Sequence, residues 1–458
     1  MRLLKLTLLC IFGVLPFHAT CLEADTTLHS LLNLPTWIDV GVSNRIRYET
    51  LDGQFRARGR GGDQGLAIQT LAHAELGAPR LRIGAEMIDA RMLYDDGGTP
   101  LDTTHVDSLD LLQAYLVMHA ESPSERGVTS TWRVGRQTLD FGSRRLIARN
   151  RFRNTINAFT GVHWLCGDSH RRMDMFLGSP VNRQPTARGA LAADDAALDE
   201  EDFGSLLWLL GWQWAPNARD IVVELYVVGL HEGDARFETR NRRIVTPALR
   251  LLRGAAPGRF DFQLEAMLQI GTVRSDDAPT NRRDLAHLAH YETLQIGYTA
   301  ESEWHPRLSA MFDYASGDSD PTDSNSGRFD TLFGARRFDY GPTGLWGAFQ
   351  RSNVVSPGVR INAAPGSTVQ IMAAYRAFWL ASRRDAWTPA RLLDRSGRAG
   401  SFLGHNIEAS VSLAVVPTRV SWELGGAVLV GGTFISHVAE APSVSDSAYL
   451  YSHVTFAF

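Results

Sequence analysis

Apolar and polar residues alternate along most of this chain, with a period of two. In "WIDVGVSNRIRYE", Ile38, Val40, Val42, Ile46 and Tyr48 share one face, with Asn44 the exception. Asp39, Ser43, Arg45, Arg47 and Glu49 share the other. Phe260, Phe262, Leu264, Ala266, Leu268 and Ile270 alternate with Asp261, Gln263, Glu265 and Gln269. Leu308–Tyr314 and Ile407–Val415 repeat the pattern. Successive side chains of a strand point to opposite faces, so the pattern predicts strands with one apolar and one polar face. Many of these segments reach the ~9–11 residues that a tilted transmembrane strand needs, whereas strands of soluble proteins have a mode of about five or six.

Strands are predicted to start near Trp37, Leu66, Leu81, Ser108, Thr131, Phe159, Arg172, Gly204 and Ile221. The second half adds Arg243, Phe260, Glu292, Leu308, Leu345, Val369, Leu403, Arg419 and Ala448. The total is about eighteen, an even number as in bacterial single-chain barrels. Between them lie long polar stretches, 53–63, 95–107, 179–202, 274–285, 317–344 and 383–400, and short turns such as "GAPR" and "APNA". The expected fold is all-β: a single transmembrane antiparallel β-barrel with long extracellular loops and short periplasmic turns. The chain ends "AYLYSHVTFAF", with Leu450, Ser452, Val454, Phe456 and Phe458 on one face and a terminal aromatic. Outer-membrane barrels end in such a strand.

The N-terminus fits export. Arg2 and Lys5 precede an apolar run, Leu6–Phe17, then small and polar residues, which is the layout of a signal peptide spanning residues 1–24. The run is shorter than the ~20 residues of a membrane-spanning helix. Residues 25–458 are then one barrel domain in the outer membrane of a Gram-negative bacterium. Of the three cysteines only Cys166 would remain, so no internal disulfide is expected. Charged residues are 21% and the net charge is -4, with a mean hydropathy of -0.14. These values resemble a soluble protein, but a barrel with one lipid face and one lumen face has ordinary averages too.

Charge changes the picture at one place. "RVGRQTLDFGSRRLIARNRFRN", Arg133–Asn154, holds seven arginines, and no lysine follows Lys5. An arginine at the lipid midplane costs ~2–4 kcal/mol, so these side chains are expected in the lumen or at a rim. Arg133 and Gln137 share a face and Arg136 falls opposite, unless Gly135 marks a bulge that resets the alternation. Beyond Phe141 the segment reads as a loop folding inward with Arg144, Arg145, Arg149, Arg151 and Arg153. Arginine forks match carboxylates and stay charged, which suits an anion path. The alternative is a ladder of Arg–carboxylate pairs that stiffens the wall.

"WRVGRQTLDFGSRRLI" resembles a segment of the alginate export family of outer-membrane barrels. "FDYASGDSDPTDSNSGRFDTLFGARRFDYG", "YRAFWLASRRDAW" and "RIRYE" are similar to further family segments. The resemblance implies an eighteen-stranded monomeric barrel with an arginine-rich, anion-selective lumen. Such a lumen would pass an anionic polysaccharide (alginate-like) or another organic anion, with outer-membrane lipid around it and an export complex in the periplasm as a partner. It implies pore-lining or loop roles for Arg133, Arg136, Gln137, Arg144, Arg145, Arg336 and Arg337, and brings in Arg45, Arg47, Arg153 and Arg376. Arg133, Arg136 and the pair Arg144–Arg145 are expected at or beside the narrowest part.

Other chemistry is thin. Asp318, Asp320 and Asp323 in "GDSDPTDSNSG" invite Ca²⁺, but their spacing departs from the D-x-D-x-D-G loop and a solvated turn is the simpler reading. His287 and His290 would lie on opposite faces of a strand. No phosphate-binding glycine loop suggests a nucleotide cofactor, no nucleic-acid partner is indicated, and no G-x-S-x-G elbow stands out. A membrane enzyme and an adhesive or structural barrel remain the alternatives to a passive channel.

Overall fold

The structure is a computed structural model that describes residue 28 and residues 32–458 apart from 122–126, 217–220, 234–236 and 279. The expected signal peptide lies outside the described residues. Eighteen strands form the barrel. They are β1 (Ile38–Asp52), β2 (Asp63–Ala78), β3 (Leu81–Leu93), β4 (Asp107–Glu121), β5 (Thr129–Gln137) and β6 (Phe159–Gly167). Next come β7 (Arg171–Asn182), β8 (Leu206–Trp214), β9 (Val222–His231), β10 (Arg243–Arg253), β11 (Arg259–Val273) and β12 (Leu285–Thr299). The last are β13 (Arg307–Ala315), β14 (Val354–Ala363), β15 (Val369–Trp379), β16 (Phe402–Val416), β17 (Val420–Gly431) and β18 (Ser447–Ala457). Each pairs antiparallel with the next, and β18 closes on β1, with Ser43 opposite Ala457 and Asp52 opposite Ala448. Closure removes every sheet edge, which lipid cannot hydrogen-bond.

The two rims differ. Turns 79–80, 168–170, 254–258, 364–368 and 417–419 are short and lie on the rim of both chain ends. Loops 53–62, 94–106, 138–158, 183–205, 316–353, 380–401 and 432–446 lie on the other, which the outer-membrane arrangement makes extracellular. Expected starts fall within about three residues of the observed ones in all but two cases. The strand sought at Glu292 begins at Leu285: "LAHLAH" lacks a period of two in polarity, yet His287 and Ala289 are buried inward while Leu288 is exposed outward. The strand sought at Leu345 begins at Val354. "LWGAF" is instead a loop segment buried on all sides, and an apolar run reads alike in either setting.

Burial sorts the faces. On β11, Leu264, Leu268 and Ile270 are exposed on the outside, whereas Glu265 and Gln269 are fully buried within. Outward apolar residues recur on every side of the barrel, among them Ile46, Val134, Val162, Leu210, Leu249, Ile296, Val359, Ile407 and Val428, and form the lipid-facing belt.

An eighteen-strand barrel is too wide for wall side chains to fill, and here the loops fill it. Loops 138–158 and 316–353 meet inside. Ile147 bridges Phe333 in parallel, the Phe333 amide donates to the Leu146 carbonyl at 2.8 Å, and the Ala335 amide to that of Arg144 at 3.0 Å. A Cβ at Gly334 would lie 1.8 Å from the Arg145 carbonyl, so this approach requires glycine. Beside it, Trp346 packs edge-on to Phe55 at 5.4 Å and stacks on Tyr449 at 5.8 Å. Trp387 stacks on both Phe55 and Phe349. This aromatic cluster joins loops 53–62, 316–353 and 380–401 to the wall. Replacing the fully buried Trp346 by Ala should cost about 3–5 kcal/mol. Thermal unfolding in detergent should show a lowered midpoint, whereas Leu268→Ala on the lipid face should change it far less.

Candidate functional site

The arginine-rich loop is held in the lumen by the wall beside it. On β1, alternation turns Arg45, Arg47 and Glu49 inward together. Arg45 donates to the carbonyls of Arg151 and Arg153, and Arg47 to that of Phe152 while lying 4.4 Å over its ring. Arg47 Nε also bonds Glu49 at 2.6 Å. Glu49 in turn accepts from the Leu345 amide and the Tyr449 hydroxyl, both at 2.9 Å. A single strand face thus clamps both inward loops.

At the centre lies Asp339. Arg145 meets it with two donors, at 2.8 and 3.0 Å, and reaches Glu265 on β11 at 2.6 Å. Arg351 also binds Asp339. Arg376 on β15 pairs with Asp313 and donates to the Asp339 carbonyl at 3.1 Å. Burial pushes the Asp339 carboxyl up, but Arg145 and Arg351 outweigh it and hold the group well below the aspartate range. These arginines are therefore neutralised by partners chosen from wall and loop alike.

Further arginines line three cavities of this interior, some of them also paired: Arg58 with Glu440, Arg149 with Glu86 and Arg151 with Asp140. An outer one of about 680 Å³ is lined by Arg56, Arg58, Arg60, Arg188, Arg336 and Arg391, with Asp63 and Asp102. A middle one of about 220 Å³ is lined by Arg153, Arg183, Arg336 and Arg351 and, among the described residues, by no acidic side chain. An inner one of about 530 Å³ is lined by Arg45, Arg144, Arg149, Arg151 and Arg337, with Glu423. Arg336 and Gln350 border both outer and middle cavities. Arg336 donates to Gln350 at 3.1 Å, and Arg153 to the Thr155 carbonyl at 3.1 Å and Asn157 at 2.6 Å. Among the described residues neither has a carboxylate at ion-pair distance. Burial lowers the Arg336 guanidinium to about 10, and burial with Arg183 lowers Arg153 as well. Burial is the larger cause in both, and the Asp102 carboxylate offsets it only in part.

The eleven side chains expected from sequence thus separate. Arg45, Arg144, Arg153, Arg336 and Arg337 line cavities, although Arg337 is also tied to Glu408 and sits 3.7 Å from Glu423. Arg47, Arg145 and Arg376 are buried in ion pairs, a correction to their expected pore-lining role: wall carboxylates facing the lumen claim them first. Arg133 stacks 4.4 Å over Tyr115, and Gln137 is fully buried. Arg136 falls opposite Arg133 and Gln137, as plain alternation has it: the pairing of β5 with β4 and β6 runs without a shift, so Gly135 does not reset it. Gly135 instead adopts φ +125°, where a Cβ would lie 2.3 Å from the Ala114 carbonyl. Arg136 therefore keeps the outward parity of Trp132 and Val134 and is not placed at a constriction. Loop 183–205 covers it: Arg136 binds Glu201 at 2.8 Å, the Asp199 carbonyl at 3.0 Å and Asp110 at 3.4 Å.

Arg56, Arg183, Arg188 and Arg391 were missed. "FRARGR" around Arg56 carried a basic-loop signal, while Arg183 stands alone in "VNRQP" and had none. Asp318, Asp320 and Asp323 each accept hydrogen bonds within their own turn. They are not among the acidic side chains that converge in the described residues.

A family model described as alginate export matches residues 36–448. Solved structures similar to this barrel include Pseudomonas aeruginosa OccK8 (OprE), at 13% identity and TM-score 0.58, covering 92% of this chain and 98% of that one. OpdK with vanillate, from the same organism, matches at 12% identity and TM-score 0.56 over 92% and 98%. OccD3 (OpdP), also from that organism, matches at 11% and 0.56 over 92% and 91%. These likenesses show a common fold. Among curated protein sequences, none matches.

Removing one member of a buried ion pair strands the other, at about 3–5 kcal/mol. Arg145→Met should lower the unfolding midpoint by that order, while Arg336→Met, which abandons no carboxylate, should lower it much less. The depressed Asp339 carboxyl adds stability that is present above its unfolded pKa of about 4 and lost as the pH falls below it. Acid titration of unfolding should show that loss in the parent protein and a smaller one in Asp339→Asn.

Proposed function

The chain belongs to the alginate export family, an outer-membrane channel fold, and from that premise we propose that it is a passive channel selective for organic anions. The observation that carries this reading is the middle cavity, where Arg153, Arg183 and Arg336 converge beside the Asp339-paired Arg351 and, among the described residues, no acidic side chain lines the space. An anion leaving water needs replacement donors, and Arg153 and Arg336 offer forks that no protein anion occupies. Low-dielectric walls focus the field of such charges. The cavities above and below carry further arginines, so a cargo meets several moderate sites in series and can also leave.

A middle cavity of about 220 Å³ lies below the ~300–1,000 Å³ of pockets that enclose whole drug-sized ligands. That favours a cargo passing group by group. It suits a thread-like polyuronate, whose every sugar carries one carboxylate, and equally a small carboxylate. The vanillate in the OpdK structure is of the second kind. Neither cargo calls for a nucleophile or cofactor, and family and fold point to transport, not to an enzyme.

Reversal potentials across a planar bilayer under a salt gradient test the reading. The parent protein should prefer chloride or a uronate over potassium. Arg153→Glu with Arg336→Glu should reduce that preference about tenfold, the equivalent of ~1.4 kcal/mol, and Arg283→Glu on an exposed loop should leave it near the parent value. A cation-selective parent, or a double variant as anion-selective as the parent, would overturn it.

A further inference from the structure

Three acidic side chains converge at the extracellular end of the wall. Asp107 and Asp110 begin β4, and Asp199 comes from loop 183–205, which crosses the rim. All three are buried, and one carboxylate oxygen from each lies within 4.8 Å of the others. The loop is seated by backbone contacts, a parallel bridge from Ser108 to Ala196 and the Asp199 amide donating to Asp110 Oδ1 at 3.2 Å. The Gln184 amide donates to Asp199 Oδ1 at 2.8 Å. Among the described residues the guanidinium in contact is that of Arg136, at 3.4 Å from Asp110 Oδ2, and it is shared with Glu201.

Asp107 is the telling member. Its side chain is fully buried, and among the described residues neither carboxylate oxygen has a hydrogen-bond partner. A buried carboxylate with no donor is costly, and proteins answer that cost with a proton, a cation or a metal. No basic side chain among the described residues reaches ion-pair distance of Asp107. Burial, then Asp107 and Asp110, push the Asp199 carboxyl up to about 8, as expected where negative charge is crowded.

We propose that Asp107, Asp110 and Asp199 bind a divalent cation, calcium by preference, which pins loop 183–205 to the barrel rim. Three carboxylate oxygens within 4.8 Å of one another suit the flexible, oxygen-rich coordination of Ca²⁺ at 2.3–2.6 Å, whereas Mg²⁺ keeps several waters and is held by one or two carboxylates. Hard carboxylate donors suit calcium. The loop so fixed carries Arg183 into the middle cavity and Arg188 into the outer one. The ion would hold two pore arginines in place and offset acidic charge beside them. The site stands whatever cargo the channel passes, so its test is separate from that of anion selectivity.

Isothermal titration of CaCl₂ into the EGTA-treated, detergent-purified barrel tests it. The parent should bind one calcium ion. Asp107→Asn should weaken binding at least tenfold, and Asp323→Asn, in the unrelated acidic turn, should not. Heat-modifiable migration on a gel confirms that each variant is folded, and Asp199→Asn, which alters only the loop, takes the place of Asp107→Asn if that variant fails to fold. Calcium should also slow tryptic cleavage at Arg188 several-fold in the parent and not in the variant. A parent that binds no calcium, equal binding by the Asp107 or Asp199 variant, or loss of binding in Asp323→Asn would overturn the proposal.

Discussion

One carboxylate organises the lumen. Asp339 is shared by Arg145 from one inward loop and Arg351 from its own, while Arg376 on the wall holds its main chain. Arg145 extends the link to Glu265 on β11, and Arg376 to Asp313 on β13. Such pairs gain little over a well-packed apolar core, because desolvation offsets attraction. Their value here is geometric. Two long loops must be positioned inside a tube whose wall offers polar side chains, and charge-assisted bonds fix direction as well as distance. Trp346 on Tyr449 and Phe152 on Tyr451 then pack the same two loops against β18.

From this follows the division of the arginines. Those within reach of wall carboxylates are neutralised and become structure. Arg153, Arg183 and Arg336, on loop surfaces that face each other across a gap, hold carbonyl and amide partners and no carboxylate at ion-pair distance among the described residues, and keep their field. The channel's positive lining is what is left after the scaffold has taken its share of the charge. That explains how a chain with a net charge of -4 can enclose a basic middle cavity. The acids lie opposite the structural arginines, in the outer loops and in the rim cluster of Asp107, Asp110 and Asp199. Position, not sum, sets the field.

Much of the fold was legible along the chain. Alternation located the strands because the lipid belt and the lumen impose opposite chemistry on successive residues. Loop and turn lengths gave the rims. The errors share one cause. Leu345–Phe349 looks like a lipid-facing strand because a loop packed in a filled lumen is equally apolar. Gly135 left open whether a bulge resets the alternation, and it serves instead a close approach between strands that leaves the parity of Arg136 intact. In both, the sequence records what a residue touches in polarity, not which object it touches.

The sequence by itself determined the barrel, its strand number, its family and the presence of an arginine-rich inward loop, since each rests on local periodicity or on a contiguous motif. Only the tertiary structure decided which arginines are spent on Glu49, Glu265, Asp313 and Asp339 and which are left to line the cavities. Those partners lie many residues away along the chain, as Arg145 and Asp339 do. Arg183 and Arg336 meet across the middle cavity for the same reason, and so do Asp107 and Asp199 at the rim. A guanidinium's role is fixed by the charges within a few ångströms of it, and the closing of the barrel and the infolding of its loops set those distances.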